Sequence, residues 1–184
     1  MRAPAKPEHI IKWSGRLIPE RETMVNGSSG ERQVALRPAT QDDGAFLLEV
    51  YGSTRDELNV LSWDDIQKQA FIRMQFNARQ HQYHENYLHM SSDIVLLNNE
   101  PIGSMLVNRG EREITLVDIA LLPEHRNAGI GMQLVRALLD EAAAAKKPVR
   151  LHVFATSAAV RMYERLGFSK TDDDGTYLEM IWVS

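Results

Sequence analysis

Three features of the 184-residue chain carry chemistry in their type and spacing. The first is HRNAGIG, His125 to Gly131, where two glycines directly follow an apolar run, LVDIALLP, and precede a segment with helical periodicity. Glycine weakens a helix interior, so a pair at a helix start points to a backbone that something must approach closely. A helix N-terminus offers unpaired N–H groups and the positive pole of the macrodipole, which together attract phosphate. A plain tight turn would use the same glycines. The spacing is not the dinucleotide fingerprint, which needs a third glycine, nor the P-loop, which ends in Gly-Lys-Ser/Thr. The second feature is Asp118, a carboxylate inside the apolar run VDIALL; such a group is costly unless it is paired or functional. It is read here either as a base or as the partner in a structural bond. The third is His152, which interrupts VRLHVF and brings an imidazole, a side chain suited to proton transfer. A half-buried hydrogen-bonding histidine would look the same. His81, His84 and His89 lack a convincing ligand pattern with nearby carboxylates, so no metal is expected.

These residues need elements to position them. QVALRP (33–38) alternates as a short strand and stops at Pro38. Thr40 and Asp43 form a capping-box pattern ahead of AFLLEVY, which predicts a helix, and Ser62 with Asp65 repeats it ahead of a second. That second helix is expected to carry Ile66, Ala70 and Met74 on its apolar stripe. RQHQYHENY (79–87) loses periodicity and is rich in polar rings; with the second helix it is expected to wall a binding cleft. Three strands follow, at 93–97, 101–107 and 113–122, with connections short enough for antiparallel hairpins. A helix opens near Gly129 with Ile130, Leu134, Leu138 and Ala142 on one face and ends by KKP (146–148). VRLHVF (149–154) is then a strand lying parallel to 113–122 across a helical crossover. TSAAVRMYERLG forms a helix capped at Gly167, and a last hairpin turns at Asp174-Gly175. The sum is an α/β domain with a mixed sheet over residues 33–184. Residues 1–32, with three prolines and NGSSGE, read as a mobile N-terminal extension in which only IIKW (10–13) would dock.

Composition narrows the class. Hydrophobic residues make up 43% and charged residues 25%, with a formal charge of −4 and a pI near 5.9, ordinary for a globular protein. Nothing in that balance suggests a general grip on nucleic acid or anionic membrane. The absence of cysteine excludes disulfides and thiolate chemistry and favours a cytoplasmic setting. No run of apolar residues reaches the length of a membrane span.

LLPEHRNAGIG followed by an amphipathic helix resembles the acyl-CoA-binding motif of the GNAT superfamily of N-acetyltransferases. That motif is Gln or Arg, two residues, Gly, one residue, then Gly or Ala, matched by Arg126, Gly129 and Gly131; Leu121 and Pro123 also fit. AAVRMYERLGF (158–168) is similar to the family's second hallmark, an alanine, a tyrosine and a closing Gly-Phe. The element order over 34–183 agrees as well. The resemblance implies a mainly antiparallel sheet flanked by helices, with a splayed parallel strand pair that binds acetyl-CoA. The diphosphate would rest on the amides of Arg126, Asn127, Ala128, Gly129, Ile130 and Gly131, and the pantetheine arm would pair with the backbone of Ile119 and Leu121. Backbone N–H groups near Leu121 would polarise the thioester carbonyl. Tyr163 corresponds to the family's tyrosine beside the thioester sulfur, implying an acid for the leaving thiolate, although a packing tyrosine fits its helix face too. His152 or Asp118 would deprotonate the amine, and His152 sits in a context like that of some N-terminal acetyltransferases. Two departures stand out. Thr115 occupies a position where many members carry a glutamate, and Thr156 replaces an asparagine that contacts pantetheine, keeping one hydrogen bond of two.

The expected activity is acetyl transfer from acetyl-CoA to a primary amine of a small-molecule or peptide acceptor, by direct attack in a ternary complex and without a metal. The chain is expected to act as a monomer or homodimer. Two other readings compete: an acyl-CoA-binding regulatory module without transferase activity, and an unrelated phosphate-binding protein that uses the same loop.

Overall fold

The computed structural model describes residues 33–87 and 89–184; the N-terminal extension, and what was expected of it, lies outside them. Strands β1 (Val34–Pro38), β2 (Met90–Leu97), β3 (Glu100–Arg109), β4 (Ile114–Leu121), β5 (Val149–Phe154), β6 (Ser169–Asp173) and β7 (Tyr177–Trp182) form one sheet. Its order is β1-β2-β3-β4-β5-β7-β6. Every neighbouring pair is antiparallel except β4 and β5. The helices are α1 (Gly44–Gly52), α2 (Asp65–Asn86), α3 (Ile130–Ala145) and α4 (Ala159–Arg165). The β2–β3 hairpin turns on Asn98 and Asn99, both at positive φ (52° and 70°), as a two-residue turn matched to strand twist requires.

Alternation along the strands divides the core into two faces. Met105, Val107, Ile114 and Leu116 join the α3 stripe of Ile130, Leu134, Leu138 and Ala142, all buried. Ser104, Leu106 and Ala120 point the other way, toward Val50 and Tyr51 of α1 and Phe76 of α2. The predicted stripe of α3 is thus borne out. β3 is buried without break from Ile102 to Val107, as a strand covered on both faces should be.

The β3–β4 register shifts by one residue: Val107 faces Leu116 while Leu106 faces Asp118. Val117 is the extra residue of a β-bulge. A one-residue insertion exchanges the faces of everything beyond it. Without it, Asp118 would share a face with Ile114 and Leu116, against α3. With it, Ile119 and Leu121 pack toward the α3 cluster and Asp118 turns toward α1 and α2.

Several expectations at helix ends need correction. α2 is capped by Asp64, whose side chain accepts from the Gln67 N–H at 2.8 Å, while Gln67 Oε1 accepts from the Asp64 N–H at 3.2 Å; the Ser62/Asp65 pair sits two residues early. α2 also runs on to Asn86, so the polar stretch 79–86 is helix. The spacing of Ile66, Ala70 and Met74 is helical, but Ile66 is 79% exposed and the stripe faces outward. The packed face is instead Phe71, Ile72, Gln75, Phe76 and Arg79. Lys146 ends α3 in the left-handed region at φ 53°, and Lys147 Nζ donates to the Gly110 carbonyl at 2.8 Å.

The first capping signal forms as read. Asp43 Oδ2 accepts from the Thr40 N–H at 2.7 Å and from its hydroxyl at 3.0 Å, and Arg37 grips both carboxylate oxygens at 2.8 and 2.7 Å. These bonds, Arg37's first, hold the carboxyl well below the usual carboxylate range. A depressed folded pKa gives stability that is present above the unfolded value and lost as the pH falls through the folded one. Asp43→Ala is expected to destabilise by about 1 kcal/mol at neutral pH. In thermal melts the gap to wild type should narrow below about pH 4.

Candidate active site

β4 and β5 pair over three rungs, Ile114–Val149, Thr115–Arg150 and Leu116–Leu151. Beyond the bulge they part. A cleft of about 500 Å³ opens between Val117–Ala120 on one side and His152–Phe154 on the other. β7 follows β5 through all six of its residues, so the parting belongs to the β4–β5 pair alone. The Leu122 N–H donates to the Ile102 carbonyl at 2.9 Å. By alternation, the main-chain groups of Ile119 and Leu121 therefore turn away from β3, toward the gap. These two backbones border the gap.

At the open end stands the N-terminus of α3. Gly129 is its cap residue at φ 83° with no side-chain cap, and Asn127 is also left-handed at φ 58°. The N–H groups from Asn127 to Gly131 have no acceptor among the described residues. A Cβ at Gly129 would meet nothing within 4 Å, and one at Gly131 would touch only Met162 Sδ at 3.8 Å. The fold itself leaves room for side chains here. The left-handed backbone at Gly129 favours glycine; no described residue requires it at Gly131.

Arg126 departs from the role expected of its amide. Its N–H is spent on the Pro123 carbonyl at 3.2 Å. Its guanidinium turns inward, donating from Nε to the Leu121 carbonyl at 2.8 Å and from Nη2 to the Ser53 carbonyl and Oγ at 2.8 and 2.9 Å. It clamps the end of β4 to the end of α1. The bare amides begin one residue later, at Asn127.

Tyr163, Asp118 and His152 line the same cleft. Tyr163 comes from α4, is 5% exposed and packs edge-on against Phe168, the ring centres 5.5 Å apart. Burial, then the charge of Asp118, pushes its hydroxyl up to about 12, so it stays protonated over any working pH. Asp118 meets a partner that sequence reasoning missed: Arg79 Nη2 donates to Oδ2 at 2.7 Å. His152 presents a side chain 54% exposed, with Nε2 3.5 Å from Glu179 Oε2. Glu179 lies directly across the ladder and is kept charged by the Thr171 hydroxyl at 2.7 Å. Thr156 is exposed in the turn after β5, and Ser157, not Thr156, lines the cleft. The far wall is Arg55, Arg79 and Tyr83, widening past Tyr87, Asp174 and Tyr177. No group of three metal-ligating side chains occurs among the described residues, and no described helix is long and apolar enough to cross a membrane.

This arrangement supplies bare amides for an anion, a strand edge for an extended arm, and an acid and a base candidate where the strands part. Comparison with known proteins points the same way. Residues 56–168 match the family described as the acetyltransferase (GNAT) family. No curated protein matches by sequence. Among solved structures, the PaiA N-acetyltransferase from Thermoplasma acidophilum, in complex with coenzyme A, is similar with a TM-score of 0.64 at 18% identity, over 82% of this chain and 99% of that one. A chimeric spermidine N-acetyltransferase SpeG from Vibrio cholerae gives 0.57 at 19% identity, over 82% and 95%. The ribosomal-protein-S18-alanine N-acetyltransferase from Escherichia coli gives 0.55 at 18%, over 80% and 90%.

Proposed function

The chain belongs to the GNAT family of acetyltransferases, and on that premise we propose that it moves an acetyl group from acetyl-CoA to a primary amine of a small-molecule or peptide acceptor, by direct attack in a ternary complex. The observation that carries this reading is the parting of β4 from β5 beyond Leu116, with bare α3 amides at the open end.

The residues present fit the donor. Asn127, Ala128, Gly129, Ile130 and Gly131 offer amides to a diphosphate, and the backbone of Ile119 with the Leu121 N–H offers a strand edge to the pantetheine arm, the Leu121 carbonyl being held by Arg126. Acetyl-CoA, when bound, supplies the activated thioester. The main-chain N–H groups facing the gap near Leu121 stabilise charge on the carbonyl oxygen. His152, open to the cleft and backed by Glu179, takes the proton of the attacking amine, directly or through water. Asp118, engaged by Arg79 through Oδ2, fixes the charge of the acceptor wall and is the second candidate base through Oδ1. Tyr163 hydrogen bonds to the leaving sulfur.

The test is a panel of amines, amino acids and peptides, with released CoA thiol followed by a chromogenic reagent. Tight acetyl-CoA binding in titration calorimetry with no thiol release across the panel would instead support a regulatory module. His152→Gln is expected to lower kcat about 100-fold near neutrality. Part of the loss should return as the pH rises toward the amine's own pKa of about 10. A pH–rate profile parallel to that of wild type would move the base elsewhere.

A further inference from the structure

The acceptor wall holds more positive charge than its neighbours neutralise. Arg79 gives Nη2 to Asp118, yet its Nε is buried without a hydrogen-bond partner among the described residues. Arg55, in the loop after α1, has its own Nε in the same condition. Its ion pair, to Glu57, spans 3.5 Å, and that carboxylate is 60% exposed, a contact worth little. Both guanidiniums converge on one ring, lying 4.3 and 4.7 Å from the centre of Tyr51, and Arg79 also lies 5.1 Å from that of Tyr83.

Aromatic faces orient a guanidinium without neutralising it or satisfying its N–H groups. A buried donor left unsatisfied opposes folding, and the bonds to Asp118 and Glu57 leave the Nε of each group without a partner among the described residues. Both border the cleft, where Asp118 is the sole acidic lining residue among those described. Asp174 faces the wider end, its carboxylate taken by the Thr176 and Tyr177 amides at 2.7 and 2.6 Å. Two stacked forks against one carboxylate leave a site for a second, planar one.

We propose that the acceptor is an amine that also bears a carboxylate, held by Arg55 and Arg79 while its amino group reaches the parting of β4 and β5. This rests on the transferase reading and adds a substrate class to it. Simple diamines are disfavoured, because a second ammonium would meet the two guanidiniums.

The experiment compares glycine, β-alanine, γ-aminobutyrate and larger amino acids with their carboxamides and with 1,4-diaminobutane, using the full chain and thiol release. At least one acid should exceed its amide by about 10-fold or more in kcat/KM, with the diamine poorest. Arg55→Met should erase that preference through the acceptor's KM and leave the acetyl-CoA KM unchanged; Arg55→Lys should keep part of it. Equal kcat/KM for acids and amides, or an Arg55→Met defect confined to acetyl-CoA, overturns the proposal. A second arm needs no turnover: binding of N-acetylated acids and their amides to the CoA complex, read by saturation-transfer NMR. Preference for the acid supports the carboxylate site, and indifference overturns it. Acetyl-CoA titration keeps the two ideas apart, since failure to bind it removes the transferase reading, whereas intact binding with indifferent acid and amide removes only the carboxylate.

Discussion

Gly131→Val is expected to lower acetyl-CoA affinity about 100-fold and to leave thermal stability within a few degrees of wild type. The two halves of that result follow from different observations. Stability survives because Gly131 has ordinary helical backbone, and an added Cβ meets only Met162 Sδ at 3.8 Å. Valine is also a better helix residue than glycine. Binding fails because the added branches occupy the space through which a diphosphate reaches the bare amides of Asn127 to Gly131. Losing one or two hydrogen bonds to a charged group, each about 1.5–3 kcal/mol, amounts to roughly two orders of magnitude. Gly129 is the more obvious target and the worse experiment. At φ 83° any side chain strains the backbone by about 1–2 kcal/mol, so lost binding there would not separate a blocked ligand from a distorted loop. Titration calorimetry with acetyl-CoA decides the matter. Unchanged affinity for Gly131→Val removes the diphosphate from this loop, and with it the orientation of the whole donor.

Element order could be read from the chain because it is written in periodicity and punctuation. The left-handed Gly167 and Gly175 and the buried face of α3 stand where those signals put them. The single-residue bulge at Val117 could not be read. It leaves no local mark, since VDIALL is equally good strand in either register, and only pairing with β3 shows which residue is extra. Yet that residue decides that Asp118 faces Arg79 and not the α3 core. Nor does helical spacing choose a direction: Ile66, Ala70 and Met74 define a face of α2, and the sheet lies on another.

The misreading of residues 79–87 has an informative cause. The pattern lost its apolar period because the inward positions there are Arg79 and Tyr83, half-buried and lining a cleft. A helix that walls a polar site must break the amphipathic rule on that side. The same lapse hid the partner of Asp118, which the sequence left open between a base and a structural bond.

Tyr163→Phe is expected to lower kcat between about 10- and 100-fold and to leave acetyl-CoA affinity and thermal stability nearly unchanged. The ring stays packed on Phe168. The hydroxyl makes no hydrogen bond among the described residues, so phenylalanine fills the site without orphaning a partner. The moderate size follows from where the hydroxyl titrates. Burial first, then Asp118, raises it to about 12, whereas an ordinary thiol ionises near 8.5. Full proton transfer from Tyr163 to a departing thiolate is therefore uphill. Its contribution is a hydrogen bond that strengthens as the sulfur gains charge, which falls short of the largest general-acid effects. Because the raised pKa keeps the phenol neutral, Tyr163 should add no alkaline limb to the wild-type pH–rate profile below about pH 11. Single-turnover measurement of thiol release isolates the step. If kcat and the profile match wild type, Tyr163 is a packing residue of α4, and the leaving sulfur takes its proton from water.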